Sequence, residues 1–254
     1  MDDRNLLYKY YPPERISVLD EHIVRFTPLH ELNDPYEGRF HLEPLERERD
    51  AAIADGFRAE WAEVEVFITH RMGALGVLCL SKCPDSELMW AHYASNHSGF
   101  VIGIRSDLRP FDGPAHIWWD DPPEIDMTHI PGFGSFRDIK YGFETYQVAY
   151  GRQIPFDAFF TKIPDWSYEK EVRIFRSLRD ASRIVEKDGA KLHLFEVPNK
   201  AFARVIVGSS APQSVNEAAL ALARRTDRSQ VSVERARIDN RARRILFEPI
   251  DGVT

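Results

Sequence analysis

Around residue 170 the chain reads Trp166, Ser167, Tyr168, Glu169, Lys170, Glu171, Val172, Arg173. Taken as a strand running from Glu169 to Arg176, this segment projects Glu169, Glu171 and Arg173 from one face and Lys170 and Val172 from the other. Two carboxylates one pleat repeat apart beside a guanidinium can do acid-base or electrostatic work. Arg173 holds one of them ionised, and the like charge pushes its neighbour toward protonation. The same residues also suit a solvated strand face on which acids and Arg alternate.

A second constellation runs from Met89 to Phe100 and contains Trp90, His92, Tyr93 and His97. Five residues on an ideal helix turn the second imidazole by roughly 140° from the first, so His92 and His97 are not a helical chelate pair. A zinc site on one helix prefers a spacing of four. Gly99 reads as a helix stop, which puts His97 at the C-terminal end, where an imidazolium is favoured by the dipole. The plainer role for each His is a polar partner for nearby backbone or carboxylate. Cys79 and Cys83 are the only cysteines. Two thiols supply neither a disulfide framework nor a four-thiolate zinc site, so no structural zinc is expected. Cys79 lies in Gly76 to Ser81, a buried strand by its composition, and reads as a small core residue.

The third feature is basic. Between Arg224 and Arg244 stand eight Arg against Asp227, Glu234 and Asp239. Such a patch can meet phosphate, but it spans a helix end, a turn and a strand, and nucleic-acid binding is not favoured. The whole chain points the same way, with 33 basic and 40 acidic residues and a net charge of −7. The turn Gly208, Ser209, Ser210 before a helix lacks the Lys and the spacing of a phosphate-binding P-loop.

The elements that must position these groups follow from periodicity. At 254 residues, 43% hydrophobic, with 16 Phe, 9 Tyr and 5 Trp, the chain can bury a sizeable core. No run of about eighteen apolar residues occurs and the first residues lack a signal-peptide pattern, so a cytoplasmic protein without a membrane partner is expected. Strands are predicted at Tyr8 to Tyr10, Ile23 to Thr27, Gly76 to Ser81, Phe100 to Ile104, Gln147 to Tyr150, Glu169 to Arg176, Lys191 to Val197, Ala203 to Val207 and Gln230 to Ala236. Helices are predicted from Pro12 and Pro13 to Leu19, over about 45–72 with a break at Gly56, and from Ser86 to Ala94. A last one runs from Ser214 to Arg225, opened by a Ser214/Glu217 capping box. Asn33, Asp34 and Pro35 make a rigid corner. Residues 107–140, rich in Pro and Gly and carrying Trp118 and Trp119, read as an insertion or lid. The last strand, helix and strand imply a parallel pair. The sum is a mixed α/β fold: one domain over 1–254 with a mixed sheet, a helical excursion and a proline-rich insertion.

Several of these segments resemble, in order and spacing, the bacterial domain of unknown function 2971. They are Leu7 to Arg15, Ile23 to Phe40, Leu88 to Ile104, Phe159 to Phe175 and Val205 to Pro212. The most specific residues are Asn33-Asp34-Pro35, Trp90 and Tyr93 with His97 and Gly99, and Trp166, Tyr168, Glu169, Glu171 and Arg173. The resemblance names a family and no reaction. A more distant one, in mechanism, is to mono-ADP-ribosyltransferases, which carry an early-strand Arg or His, a second-strand Ser or Tyr motif and a late Glu/Gln-x-Glu. Here Tyr8-Lys9-Tyr10, Thr27 and Glu169-Lys170-Glu171 fall in that order, with Lys9 in place of Arg or His.

That resemblance implies NAD as cofactor and an unidentified macromolecular acceptor. Glu171 would hold the ribose hydroxyl and developing charge, Glu169 would orient the acceptor, and His92 completes the catalytic set. Tyr8, Lys9, Thr27, Asn33, Asp34, Trp90, His97, Trp166 and Arg173 would line the NAD site. All these residues are expected around one pocket. Three rival readings are a metal-dependent nuclease or hydrolase using His92, His97, Asp34 and the two Glu, a noncatalytic ligand-binding module, and a purely structural role for all these motifs with function in the insertion over 107–140.

Overall fold

Continuous apolar runs, as opposed to alternating ones, mark strands covered on both faces. Two such runs, and a third interrupted by Lys9, lie at the centre of the sheet in a computed structural model that describes residues 5–36, 47, 50, 51, 54, 73–111, 116–117, 125–126, 131–147, 156–225 and 231–250. In chain order, β1 is Leu6–Tyr11, α1 is Val18–Glu21 and β2 is Ile23–Pro28. Next come β3 at Leu75–Ser81, α2 at Glu87–Tyr93 and β4 at Phe100–Arg105. Short strands follow: β5 His116–Ile117, β6 Ile125–Asp126, β7 Arg137–Asp138, β8 Lys140–Tyr141 and β9 Thr161–Lys162. The remainder is β10 Glu171–Ser177, β11 Arg183–Lys187, β12 Ala190–Glu196, β13 Phe202–Val207, α3 Gln213–Arg224, β14 Ser232–Asp239 and β15 Arg244–Pro249. The fold is mixed α/β with one large mixed sheet, as expected.

The sheet order is β11-β12-β2-β3-β1-β4-β13-β14-β15. β13 and β14 run parallel, joined by α3 as the crossover helix, and the other pairings in the large sheet are antiparallel. The feature that makes a site is a split. β10 pairs along the whole of one edge of β3, from Glu171 opposite Ser81 to Ser177 opposite Leu75. β1 and β2 both approach the other edge, β1 at Ser81 and β2 at Val77 and Gly76. They meet β3 at opposite ends, so the sheet opens into a wedge beside Leu78 to Leu80.

On one side of the sheet, α1 and α3 pack onto a core that includes Leu19, Val24, Phe26, Ile102, Val205, Val215 and Leu222. A second cluster gathers around the fully buried Trp90 with Tyr8, Tyr10, Met89, Val101 and Ile206. The Trp90 indole N–H donates to the Pro84 carbonyl at 2.8 Å, which satisfies the one polar atom of a buried Trp. A third is aromatic, with Phe133, Phe159, Phe160 and Phe175 over Leu75 and Val77.

α2 begins where the Ser86 hydroxyl accepts from the Met89 N–H. Beyond its end Ser95, Asn96 and His97 all take the left-handed conformation, with φ of 46°, 51° and 63°, which L-residues adopt reluctantly and seldom in succession. Docking sustains it. Ser210 N–H donates to the His97 carbonyl at 3.0 Å and Gly208 N–H to the Gly99 carbonyl at 2.9 Å. A Cβ on Gly99 would lie 2.0 Å from the Tyr11 carbonyl oxygen, and one on Gly208 would lie 2.1 Å from that of His97.

Several expectations change. The first helix is a 3-10 turn at Pro13–Arg15 followed by the short α1, which runs two residues past Leu19 before His22, at φ 54°, ends it. The predicted strand from Glu169 starts two residues later: Pro164–Glu169 is a 3-10 helix and Lys170, at φ 44°, turns the chain into β10. α3 has no Ser214/Glu217 capping box, since Pro212 occupies the N-cap position and Glu217 pairs with Gln213. Of the helical excursion over 45–72, residues 47, 50, 51 and 54 are described, and they are helical and exposed. Trp118, Trp119 and residues 148–150 lie outside the described residues. The insertion is anchored by Phe111 and Phe133, both fully buried, and by β7, which joins β10.

The Gly99 contact gives a direct test. Gly99→Ala is expected to lower stability by about 2 kcal/mol or more, at the upper end of overpacking effects because the obstructing atom is backbone. Gly73→Ala, with nothing within 4 Å of its Cβ, is expected to stay within about 0.5 kcal/mol. Urea unfolding midpoints of the two variants check it.

Candidate functional site

Because β10 starts at Glu171, Glu171 and Arg173 project from one strand face while Glu169 arrives from the preceding 3-10 helix. What joins them is Lys162, on β9. Its ammonium donates to Glu169 Oε2 at 2.7 Å and to Glu171 Oε2 at 2.9 Å. Arg173 closes the group, with Nε 2.6 Å from Glu171 Oε1, Nη2 3.2 Å from Oε2 and Nη1 2.8 Å from the Phe159 carbonyl. The Tyr93 hydroxyl donates to Glu169 Oε1 at 2.6 Å, and the Glu171 N–H donates to the Tyr141 hydroxyl at 2.8 Å. All four charged side chains are buried.

Burial dominates the electrostatics. It pushes the Glu171 carboxyl up to about 7, against the pull of Lys162 and with help from the neighbouring Glu169 charge. Burial acts to lower Lys162, but Glu171 and Glu169 outweigh it and the net direction is upward. The Arg173 guanidinium is pulled down to about 9 by burial, opposed by the Asp34 charge. Burial, then Glu169, raises Tyr93, and burial, then Glu171, raises the Cys79 thiol. The site therefore contains a carboxyl that can exchange a proton near neutral pH, held beside two cations.

This group forms one wall of a cavity of about 390 Å³ in the wedge of the sheet. Its floor comes from Val77 and Cys79 of β3, its sides from Lys9 of β1, Arg25 and Thr27 of β2, and Asn33 and Tyr93. Lys9 Nζ donates to the Cys79 carbonyl at 2.9 Å, in the gap that the diverging strands leave. Arg25 ion-pairs with Glu31, while its buried Nε has no hydrogen-bond partner. Lys9, Arg25, Lys162 and Arg173 line the cavity together with Glu31, Glu169 and Glu171, an excess of one positive charge with every group ionised.

Of the residues singled out from sequence, Tyr8, Lys9, Thr27, Asn33, Glu169, Glu171 and Arg173 line this cavity. Asp34 lines a neighbouring one. Trp166 stands behind Lys162, with its ring centroid 5.0 Å from Nζ. Trp90 and His97 do not line it: they stack on each other at 5.7 Å, and His97 Nε2 lies 3.1 Å from Glu87 Oε1. His92 is exposed and packs on the Tyr168 ring, because two residues along a helix turn it away from the buried face of Trp90. The expected single pocket is thus corrected by the departure of Asp34, Trp90, His92, His97 and Trp166 from its lining. The metal-hydrolase alternative loses its ligand set for the same reason, and among the described residues no group of three His, Cys, Asp or Glu could hold a metal ion.

Lys162, Tyr93, Arg25 and Cys79 were not expected at the site. Their signals are faint: Lys162 is a single charge after Phe159-Phe160-Thr161, and Cys79 reads as core. The basic stretch is divided, with Arg235 on Asn216, Arg237 on Glu248, and Arg241 and Arg243 exposed at the β14-β15 turn. Among the described residues, no helix is long and apolar enough to cross a membrane.

Lys162→Met removes the cation between two buried carboxylates. It is expected to destabilise the fold by about 3–5 kcal/mol at pH 8. Without the ammonium nothing offsets the burial that raises Glu171, so the folded state holds its proton more tightly than the unfolded chain does. Stability should therefore recover as pH falls from 8 toward 5. In the wild type the contribution of Lys162 is in place below its ordinary value of 10.5 and is lost above its raised folded value. Urea midpoints across pH check this; a loss that does not change with pH would refute the compensation.

Residues 89–174, the stretch that carries Tyr93, Lys162, Glu169, Glu171 and Arg173, match the family model described as Protein of unknown function (DUF2971). No curated protein and no solved structure matches the chain. The match supports the family resemblance read from Trp90, Tyr93 and His97 and from Trp166 to Arg173.

Proposed function

We propose that the cavity at the sheet split binds NAD and cleaves its nicotinamide-ribose bond, passing the ADP-ribosyl group to a macromolecular acceptor. The observation that carries this reading is a convergence. Lys9 on β1, Thr27 on β2 and Glu171 at the head of β10 take the order of the ADP-ribosyltransferase motifs and line one cavity. Its volume, about 390 Å³, falls in the range of small-molecule sites. The positive excess suits a pyrophosphate, with Lys9 and Arg25 among the cations that line the cavity.

In this reaction the C–N bond to nicotinamide breaks and its electron pair leaves with the base. The ribose becomes oxocarbenium-like, and an acceptor lone pair closes on the same carbon. Glu171 stabilises the positive ribose, while Lys162 and Arg173 hold its carboxylate in position. Glu169, aligned by Tyr93, orients the acceptor and takes its proton. Catalysis needs Glu171 ionised, so nicotinamide release should rise with pH through about 7.

A second reading, a noncatalytic nucleotide-binding module, is favoured by one fact: both Glu171 oxygens are already engaged by Lys162 and Arg173. Labelled NAD incubated with the protein and cell extract separates the two. Wild type is expected to release nicotinamide and transfer label, and Glu171→Gln to release it about 10²–10³-fold more slowly with NAD binding retained. Glu169→Gln should impair transfer more than release. NAD binding without release under any condition establishes the binding module; absence of both overturns the NAD reading.

A further inference from the structure

Next to the first cavity lies a second, of about 560 Å³, and Lys162 lines both. We infer that this second cavity binds a cationic protein side chain, arginine above lysine, through Asp34 and the aromatic side chains around it. Asp34 is 4% exposed, at the corner where its Oδ1 accepts the Tyr36 N–H at 2.9 Å. Its Oδ2 is shielded from water and has no hydrogen-bond partner. An unsatisfied carboxylate oxygen in such a place is costly, and a cation held in the cavity that Asp34 lines would offset its charge.

The rim fits the same occupant. Tyr36 and Phe143 line the cavity and are 70% and 77% exposed, unusual for large rings, and Tyr146 stands with them. Aromatic faces and a carboxylate together favour a planar guanidinium, which can stack and donate at once. Two other charged groups of the lining are already paired. Glu144 is paired with Lys140, and the Lys162 ammonium is matched by Glu169 and Glu171. Arg173 feels the Asp34 charge, yet Oδ2 is left without a hydrogen bond.

Calling this cavity the acceptor site rests on the transferase reading; the binding of a cation does not. Asp34→Asn keeps the oxygen that accepts from Tyr36 and removes the charge, and thermal unfolding confirms that the variant folds. Capped tripeptides Gly-Arg-Gly, Gly-Lys-Gly and Gly-norleucine-Gly are titrated into the full chain by isothermal calorimetry or ligand-observed NMR. The Arg peptide is expected to bind, to weaken at least tenfold in Asp34→Asn and several-fold in Phe143→Ala, with Lys weaker and norleucine weakest. Equal binding to Asp34→Asn, norleucine binding as well as Arg, or no Arg binding at millimolar concentration overturns the inference. NAD titrations of the same proteins should show no effect of Phe143→Ala, which lines the second cavity alone. Loss of NAD binding in the wild type with the Arg peptide still bound would sink the transferase reading alone.

Discussion

A buried ammonium shared between two carboxylates is the interaction on which the site depends. Lys162 draws Glu169 from a 3-10 helix and Glu171 from a strand to one point, and Arg173 secures the second carboxylate from below. Such a network is a poor way to stabilise a fold, because desolvation offsets most of the Coulombic gain and apolar residues of equal volume often do as well. Its distinctive product is geometric. Each carboxylate is held in one orientation, and the proton affinity of Glu171 is moved into the neutral range by burial that its partners only partly counter.

The network can exist only because the sheet divides. An unbroken sheet would carry β1 or β2 along the full edge of β3 and leave no space above Cys79. Here the two strands part, and the Lys9 ammonium occupies the position a strand would have taken by donating to the Cys79 carbonyl. The same departure that leaves backbone polar groups to be satisfied also opens the cavity, so Lys9 serves the backbone and faces the ligand space together. The rigidity needed to hold the strands apart comes from both flanks. Trp90 and its cluster brace β1, and the Phe133, Phe159, Phe160 and Phe175 cluster braces β10.

The left-handed turn at Ser95, Asn96 and His97 plays its part at a distance from the cavity. It carries the chain from α2 into β4 and docks on the turn before α3. That docking sets the position of α2, whose Tyr93 reaches Glu169. His97 is then a structural residue, stacked on Trp90 and bonded to Glu87. A motif that looks chemical in sequence here serves to place a neighbour.

Much of the fold was legible in sequence because burial leaves a periodic trace. The strands expected at Tyr8 to Tyr10, Gly76 to Ser81 and Phe100 to Ile104 fall within three strands at the centre of the sheet, and strand, helix, strand at the C-terminal end implied the parallel pair of β13 and β14. Glu169, Glu171 and Arg173 were readable as a charged row and Asn33 as part of a rigid corner, whereas Lys9 and Thr27 entered through the resemblance to the ADP-ribosyltransferase motif order. The tertiary structure alone decided that Lys162 binds the two Glu, that Glu169 stands off the strand, that His92 faces solvent and that Asp34 opens on a second cavity. Periodicity records which face of an element is covered, whereas the partner of a single charge is set by which strands pair and where the sheet splits. A lone Lys after two Phe carries no trace of that pairing.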